Sequence, residues 1–134
     1  MPNVIAHWTP ATGSTHCEVT LQKGTLLVDV DAAAGGGHHP SPHDLLDSAL
    51  AACTTLTLEL YIQRKGMAVS SIRVEVDHVQ EGGVYRLSRR VEVTGDLSDD
   101  QRASLLRIAE ACPVHKTLSG TIAIDTVLQP SAAP

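Results

Sequence analysis

Alternation of apolar and polar residues predicts two β-hairpins, one on each side of a long helix. In the first hairpin, Gly24 closes the turn Gln22-Lys23-Gly24 and supplies the positive φ that tight turns need. The second hairpin turns at Glu81-Gly82-Gly83. The four predicted strands are residues 17–21, 25–29, 72–79 and 85–94. In the second hairpin, the alternation indicates one buried face and one face in water.

The long helix lies between the hairpins, after a glycine-rich connector at residues 31–40. Ser41 as N-cap, Pro42 at the first helical position and Asp44 form a strong start signal, and Gly66 marks the end. Such a helix spans about 36 Å. Its apolar residues at helical spacing are Leu46, Ala49, Leu50, Cys53, Leu56 and Leu60. We therefore expect these residues, Cys53 included, to form the buried face.

A second helix begins at Ser98, which forms a capping box with Gln101. The residues expected to point inward are Leu105, Leu106, Ala109 and Cys112. A last strand is predicted at residues 121–128, followed by a tail at 129–134. The predicted order is ββ-α-ββ-α-β, a single α+β domain over residues 1–134.

Composition favours self-association and argues against several partners. The chain has no Phe, one Trp and two Tyr, so the core must be aliphatic, and such a small domain is expected to recruit a second subunit as a homodimer. Net charge is −5 and the basic residues are scattered, apart from a patch at Arg86, Arg89 and Arg90 that we expect to be a solvated strand face. No nucleic-acid partner is therefore expected. No apolar run is expected to reach membrane-span length, and no signal peptide is recognised.

The chain has three cysteines, a small and odd number that does not suit a disulfide-stapled secreted domain. We therefore expect a cytoplasmic protein with reduced thiols. Cys53 lies inside the long helix, where it is equally compatible with a small buried apolar residue. Cys112 precedes Pro113, which favours a short helix at 113–118 with Cys112 as N-cap, where free backbone N–H groups lower the pKa of a thiol. The alternative is that Cys112 only closes the last turn of its own helix. We expect Cys17 to be a packing or surface residue.

The sequence motifs give little support for a metal site, a phosphate-binding loop or a GxSxG nucleophile elbow. The chain has enough cysteines and histidines to ligate zinc, but they lack the paired CxxC or HxxxH spacings of a zinc site, so no metal site is expected. These residues are Cys17, His38, His39, His43, Cys53, Cys112 and His115. The glycine run at 35–37 lacks a phosphate-loop pattern, and no GxSxG elbow is present.

Two segments carry a resemblance to a known family. They are Pro40-Ser-Pro-His-Asp-Leu-Leu-Asp-Ser-Ala-Leu-Ala-Ala-Cys53-Thr and Glu110-Ala-Cys112-Pro-Val-His-Lys-Thr-Leu118. Their character and spacing resemble the two cysteine segments of the OsmC-like superfamily, which includes the organic hydroperoxide resistance proteins. The order of elements also matches, so the resemblance covers about residues 15–128.

The resemblance implies an intertwined homodimer with its long helices at the centre and sites at the subunit interface. It also implies a thiol peroxidase that reduces organic hydroperoxides in oxidative stress defence, without a bound cofactor. Cys53 would be the peroxidatic cysteine, Cys112 would resolve its sulfenic acid as a disulfide, and an external dithiol would reduce that disulfide.

One departure keeps an alternative open. Peroxidase members of the family activate the first cysteine with an Arg from the N-terminal strand region and a Glu shortly before the helical cysteine. Here no Arg precedes Arg64, and Lys23 is the only other cation before it, histidines aside. His43 and Asp44 stand near the acidic position, so Asp44 is the candidate third catalytic residue. The alternative function is a catalytically weak homodimer that binds a small molecule or senses redox state.

Overall fold

The structure, a computed structural model, describes residues 2–130. In that range the chain is an α+β protein with three α-helices and antiparallel sheets, as predicted. The strands are β1 (Val4–His7), β2 (Cys17–Leu21), β3 (Gly24–Val28), β4 (Val69–Glu81) and β5 (Val84–Gly95). The helices are α1 (Pro42–Lys65), α2 (Asp99–Glu110) and α3 (Pro113–Ser119), with short 3₁₀ turns at Pro10–Thr12 and Ala32–Ala34.

The first sheet has the order β1-β2-β3, with both pairs antiparallel. The β2–β3 hairpin agrees with the prediction, and Gly24 at its turn has a φ of 146°. Strand β1 was not predicted, because its four residues carry too little alternation to be recognised. It pairs with β2 from Val4 opposite Leu21 to His7 opposite Glu18. The second sheet is the β4–β5 hairpin, whose turn contains Gly82 and Gly83, both at positive φ.

Helix α1 begins and ends where the sequence predicts. Ser41 Oγ accepts the Asp44 N–H at 3.1 Å, and the Asp44 carboxylate accepts the Ser41 N–H at 2.9 Å, so the two residues form a reciprocal cap. At the other end, Gly66 has a φ of 64°, a conformation that L side chains rarely adopt. The local signals therefore specify both ends of the helix.

The buried face of α1 differs from the predicted one. Its buried residues are spaced four apart and are Leu50, Thr54, Leu58 and Ile62. The predicted inward residues Leu46, Leu56 and Leu60 are 41%, 56% and 66% exposed, so that prediction is wrong for them, and Cys53 is half-buried. The helix is apolar on two sides, and the sequence pattern alone could not decide which side this chain buries.

Helix α1 is also long and apolar enough to cross a membrane by length and composition, since an 18-residue window within it has a mean hydropathy of 1.3. The expectation that no apolar run reaches that length is therefore wrong for this segment. A single helix of this kind is weak evidence for a membrane span, because helices of soluble proteins pass the same test.

Helix α2 opens with the predicted capping box, in which both reciprocal hydrogen bonds between Ser98 and Gln101 form. Leu105 and Ala109 are buried as expected. Leu106 is 60% exposed, so its inward placement was wrong. It lies 100° around the helix from Leu105, which takes it out of the buried stripe.

The predicted last strand does not form within the described chain. Residues 121–130 have no regular structure, and Ile122, Ile124, Val127 and Leu128 are exposed. A strand requires a ladder partner for its N–H and C=O groups, and none of the described residues forms a ladder with this segment. The apolar alternation was read correctly, but the strand pairing inferred from it is wrong for the single chain.

The described residues divide into two compact units. One contains residues 2–52 and 74–92, with the three-stranded sheet and the start of α1. The other contains residues 53–73 and 93–130, with the rest of α1 and helices α2 and α3. The core of this second unit is formed by Thr54, Leu58, Ile62, Leu105, Ala109 and Cys112. The single-domain assignment stays a prediction.

Candidate functional site

Cys112 is the N-cap of α3, as one of the two sequence hypotheses proposed. Pro113 cannot continue α2 but suits the first position of a new helix, so the chain turns at Cys112. Its Sγ accepts the backbone N–H of His115 at 3.3 Å, and the residue is fully buried. The thiol is therefore held at the start of a helix and shielded from solvent.

Thr54 connects Cys112 to helix α1. Thr54 is fully buried, and its Oγ1 lies 3.8 Å from Cys112 Sγ. Because Thr54 directly follows Cys53, the fold of this unit brings Cys112 against the turn of α1 that carries Cys53. The sequence predicted a pair of cysteines held by the fold, and this contact supplies the link between the two segments.

Cys53 has a different environment from Cys112. It is half-buried, and its Sγ lies 3.9 Å from Thr57 Oγ1, one helical turn further on. Successive residues of a helix are rotated by 100°, so Cys53 points away from the buried stripe that contains Thr54. Both cysteines and the half-buried Cys17 are free thiols. Of the two motif cysteines, Cys53 is the one that solvent reaches.

Asp44 serves as a capping residue at the start of α1. Its carboxylate oxygen and its N–H are both engaged with Ser41. This agrees with the expectation that an acidic residue here suits a helix N-terminus. A catalytic role for Asp44 stays a prediction. Within residues 2–130 no group of His, Cys, Asp and Glu is arranged to hold a metal ion.

Asp47 is the centre of a polar cluster that the sequence did not predict. Its carboxylate accepts hydrogen bonds from His78 Nδ1 on β4 at 2.5 Å and from the Tyr85 hydroxyl on β5 at 2.7 Å. Burial and the hydrogen bond to Asp47 raise the pKa of Tyr85 to about 12. The phenol therefore stays protonated at neutral pH and donates to the carboxylate.

Aromatic rings stack around this carboxylate. Tyr85 stacks on His78 with ring centroids 4.9 Å apart and on His43 at 5.2 Å. His43 and Asp47 are one turn apart on α1, while His78 and Tyr85 flank the turn of the β4–β5 hairpin. The i, i+4 spacing on the helix was visible in the sequence, but the approach of the hairpin was not. The side chain of Asp47 therefore links α1 to both strands of the β4–β5 hairpin.

Comparison with known proteins identifies the fold. The family model described as OsmC-like protein matches residues 35–127 of this chain. No curated protein matches the chain. Among solved structures, an OsmC-like protein from Mycoplasma pneumoniae is 18% identical, with a TM-score of 0.71, and the match covers 90% of this chain and 88% of that one.

Two further solved structures have similar folds. The organic hydroperoxide resistance protein OsmC from Legionella pneumophila is 21% identical, with a TM-score of 0.64 over 87% of this chain and 88% of that one. The organic hydroperoxide resistance protein OhrB of Bacillus subtilis is 23% identical, with a TM-score of 0.58 over 87% and 89%. The family match covers both cysteine segments, and this chain belongs to the OsmC-like family.

Proposed function

We propose that the protein is a thiol peroxidase that reduces organic hydroperoxides, with Cys53 as peroxidatic and Cys112 as resolving cysteine. The observation that carries the proposal is the contrast between the two thiols, which are linked through Thr54. Cys53 is reachable from solvent, and Cys112 is buried with its Sγ 3.8 Å from Thr54 Oγ1. Structural relatives named organic hydroperoxide resistance proteins support the choice of substrate class.

The proposed chemistry balances in three steps. The Cys53 thiolate attacks one oxygen of ROOH, the O–O bond breaks, and the alkoxide leaves as ROH after taking a proton. Cys53 is then a sulfenic acid. The Cys112 thiol condenses with it, forming a disulfide and releasing water. An external dithiol reduces the disulfide by thiol exchange and leaves as its own disulfide.

Exposure supports this division of roles. A peroxidatic thiol must meet its substrate, and Cys53 is half-buried rather than enclosed. A resolving thiol needs only to reach the sulfenic acid, and full burial protects Cys112 from direct oxidation. Cys112 Sγ also accepts a hydrogen bond from the His115 N–H, and this hydrogen bond must break before Cys112 can form a disulfide with Cys53. We therefore expect a local movement at the start of α3 during turnover.

We also propose that the protein works as a homodimer. On the side of α1 away from the core, residues spaced three and four apart form an apolar stripe, and three of them are exposed leucines: Leu46, Leu56 and Leu60. This spacing is typical of a helix–helix contact. Cys53 lies on the same stripe, so the partner helix would form part of the wall around it. The exposed apolar segment at 121–128 adds further surface for a second copy to cover.

This arrangement favours a soluble protein over a membrane protein. A partner helix would cover the apolar face that makes α1 resemble a membrane span. The free thiols suit a reducing compartment, so we propose a cytoplasmic location.

The test is turnover of cumene hydroperoxide with dihydrolipoamide as the reductant, measured as loss of peroxide. We expect turnover by the natural chain, none by Cys53→Ser, and a single turnover at most by Cys112→Ser with this reductant. Cys17→Ser is the matched control and should retain full activity. Equal activity in Cys53→Ser and the natural chain would overturn the proposal.

A second function has one observation in its favour. No Arg precedes Arg64, so the activating Arg of the family's peroxidases has no counterpart in the N-terminal part of the chain. Lys does not reproduce the fork of a guanidinium. If Cys53 is oxidised once by peroxide but is not recycled by any dithiol, the protein is a redox sensor rather than a peroxidase.

A further inference from the structure

A cavity in the unit formed by residues 2–52 and 74–92 has no part in the proposed peroxidase chemistry. It has a volume of about 440 Å³ and opens to solvent. Its lining comes from the 3₁₀ turn after β1, from the end of β3 and from the glycine-rich connector. The residues that decide its chemistry are Trp8, Asp29 and His38.

Asp29 places a fixed negative charge in this cavity. It is only 5% exposed, and its Oδ1 accepts the Thr15 hydroxyl at 2.5 Å and the Val30 N–H at 2.8 Å. The hydrogen bond from Thr15 lowers the pKa of Asp29, so the carboxylate is ionised at neutral pH. A carboxylate has about four acceptor positions, and both of these donors use Oδ1. The group therefore has capacity to accept further donors from a ligand.

The backbone around Asp29 holds the carboxylate in place. Its N–H donates to the Pro40 carbonyl at 3.0 Å, which closes the connector onto the end of β3. Gly36 passes so close that a Cβ there would lie 2.8 Å from Asp29 Cγ. Only glycine fits this position without moving the carboxylate or the chain. The acidic group is thus part of a preformed site rather than a mobile surface side chain.

Trp8 supplies an aromatic wall for the same cavity. Its indole Nε1–H donates to the Ser14 carbonyl at 3.0 Å, which fixes the orientation of the ring. The side chain nevertheless remains 52% exposed, an unusual state for the largest apolar residue of a chain with three aromatic residues. An indole and a carboxylate in one cavity suit an organic cation, because the carboxylate can accept a charge-assisted hydrogen bond from an ammonium group and the indole can stack on an apolar portion.

We propose that this cavity binds a small organic cation that carries an ammonium group and an apolar portion. The ammonium would lie against Asp29, and the apolar portion would lie on the indole of Trp8. Among the described residues, Asp29 is the only Asp, Glu, Lys or Arg that lines the cavity, so its negative charge would repel an anion and attract an ammonium group more strongly than a neutral ligand. The proposal is independent of the peroxidase chemistry and of both motif cysteines.

The probe is benzylammonium at about pH 8, compared with benzyl alcohol and benzoate, which present the same ring without a positive charge. Trp8 is the only tryptophan, so its fluorescence reports on the cavity directly, and isothermal titration calorimetry provides a readout that does not depend on it. We expect saturable binding of benzylammonium and no saturable binding of the other two compounds.

Three variants assign the binding. Asp29→Asn should weaken binding by about tenfold or more, and Trp8→Leu by several-fold in calorimetry. Glu18→Gln, an equal charge change on the exposed face of β2, should leave it unchanged. If Asp29→Asn loses its fold by circular dichroism, Trp8→Leu and the neutral compounds decide the question. Equal binding of benzyl alcohol, no effect of Trp8→Leu, or no saturable binding by the natural chain would overturn the proposal.

Discussion

Tyr85 contributes a stability to the fold that is lost at alkaline pH. In the folded protein, burial and the hydrogen bond to Asp47 raise the pKa of Tyr85 from 10.0 to about 12. The unfolded chain releases the phenolic proton near the ordinary value. The contribution is therefore fully present below about pH 10 and is lost as the pH rises through the folded value. The test is Tyr85→Phe, which removes the titrating group and keeps the ring.

The magnitude follows from the two pKa values. Between about pH 9 and about pH 11 the unfolded chain loses the proton while the folded chain keeps it, which lowers the free energy of unfolding by about 1.3 kcal/mol. Tyr85 is half-buried, so water screens part of this effect and we expect about 1 kcal/mol. Tyr85→Phe loses the hydrogen bond to Asp47 at both pH values. Its deficit relative to the natural chain should therefore shrink by about 1 kcal/mol at the higher pH.

The assay is urea unfolding followed by circular dichroism at the two pH values. Tyr61→Phe is the control, since Tyr61 lies on α1 beside Arg64 and Lys65 and its replacement leaves the Asp47 cluster intact. We expect Tyr61→Phe to follow the natural chain. A constant difference between Tyr85→Phe and the natural chain at both pH values would refute the role given to Asp47.

Four further predictions concern single positions. Cys112→Ser keeps an acceptor for the His115 N–H and Cys112→Ala removes it, so the Ala variant should be less stable by about 1 kcal/mol in urea unfolding, and equal stabilities would contradict the cap. Asp44→Ala should lower the free energy of unfolding by about 1 kcal/mol while Asp44→Glu restores it. Peroxide turnover per folded molecule tests the predicted catalytic role separately, and unchanged turnover in Asp44→Ala would leave Asp44 with the cap alone. Leu58→Ala should lower the free energy of unfolding, measured by urea unfolding, by about 2 to 5 kcal/mol. Leu60→Ala at micromolar concentration should lower the dimer fraction seen by sedimentation rather than the stability of the subunit, and an unchanged dimer fraction would argue against the proposed interface.

The elements with strong local signals were predictable from the sequence. Ser41 and Asp44 cap α1, Gly66 ends it, and Ser98 and Gln101 cap α2, because each signal acts within one turn of the chain. The role of Cys112 as an N-cap was also predictable, because Pro113 cannot continue α2 but suits the first position of a new helix.

Features that depend on distant segments were not predictable. Leu56 and Leu60 have the spacing of a core stripe, yet this chain buries the stripe of Leu58 and Ile62 instead. Both sides of α1 are apolar, so the choice depends on which elements pack against the helix. The Asp47 cluster required the β4–β5 hairpin to meet α1, which no local pattern encodes. The segment at 121–128 shows the reverse case, since its strand pattern is clear but no strand pairs with it among residues 2–130.

The most direct measurement is the intact mass of the reduced protein after one equivalent of cumene hydroperoxide, without added reductant. We expect a rapid loss of about two mass units as the Cys53–Cys112 disulfide forms, and a gain of about 16 mass units in Cys112→Ser as Cys53 is held as sulfenic acid. Peptide mapping should locate both changes. An unchanged mass after many minutes, or oxidation that persists in Cys53→Ser, would contradict the assignment of Cys53 as the peroxidatic cysteine.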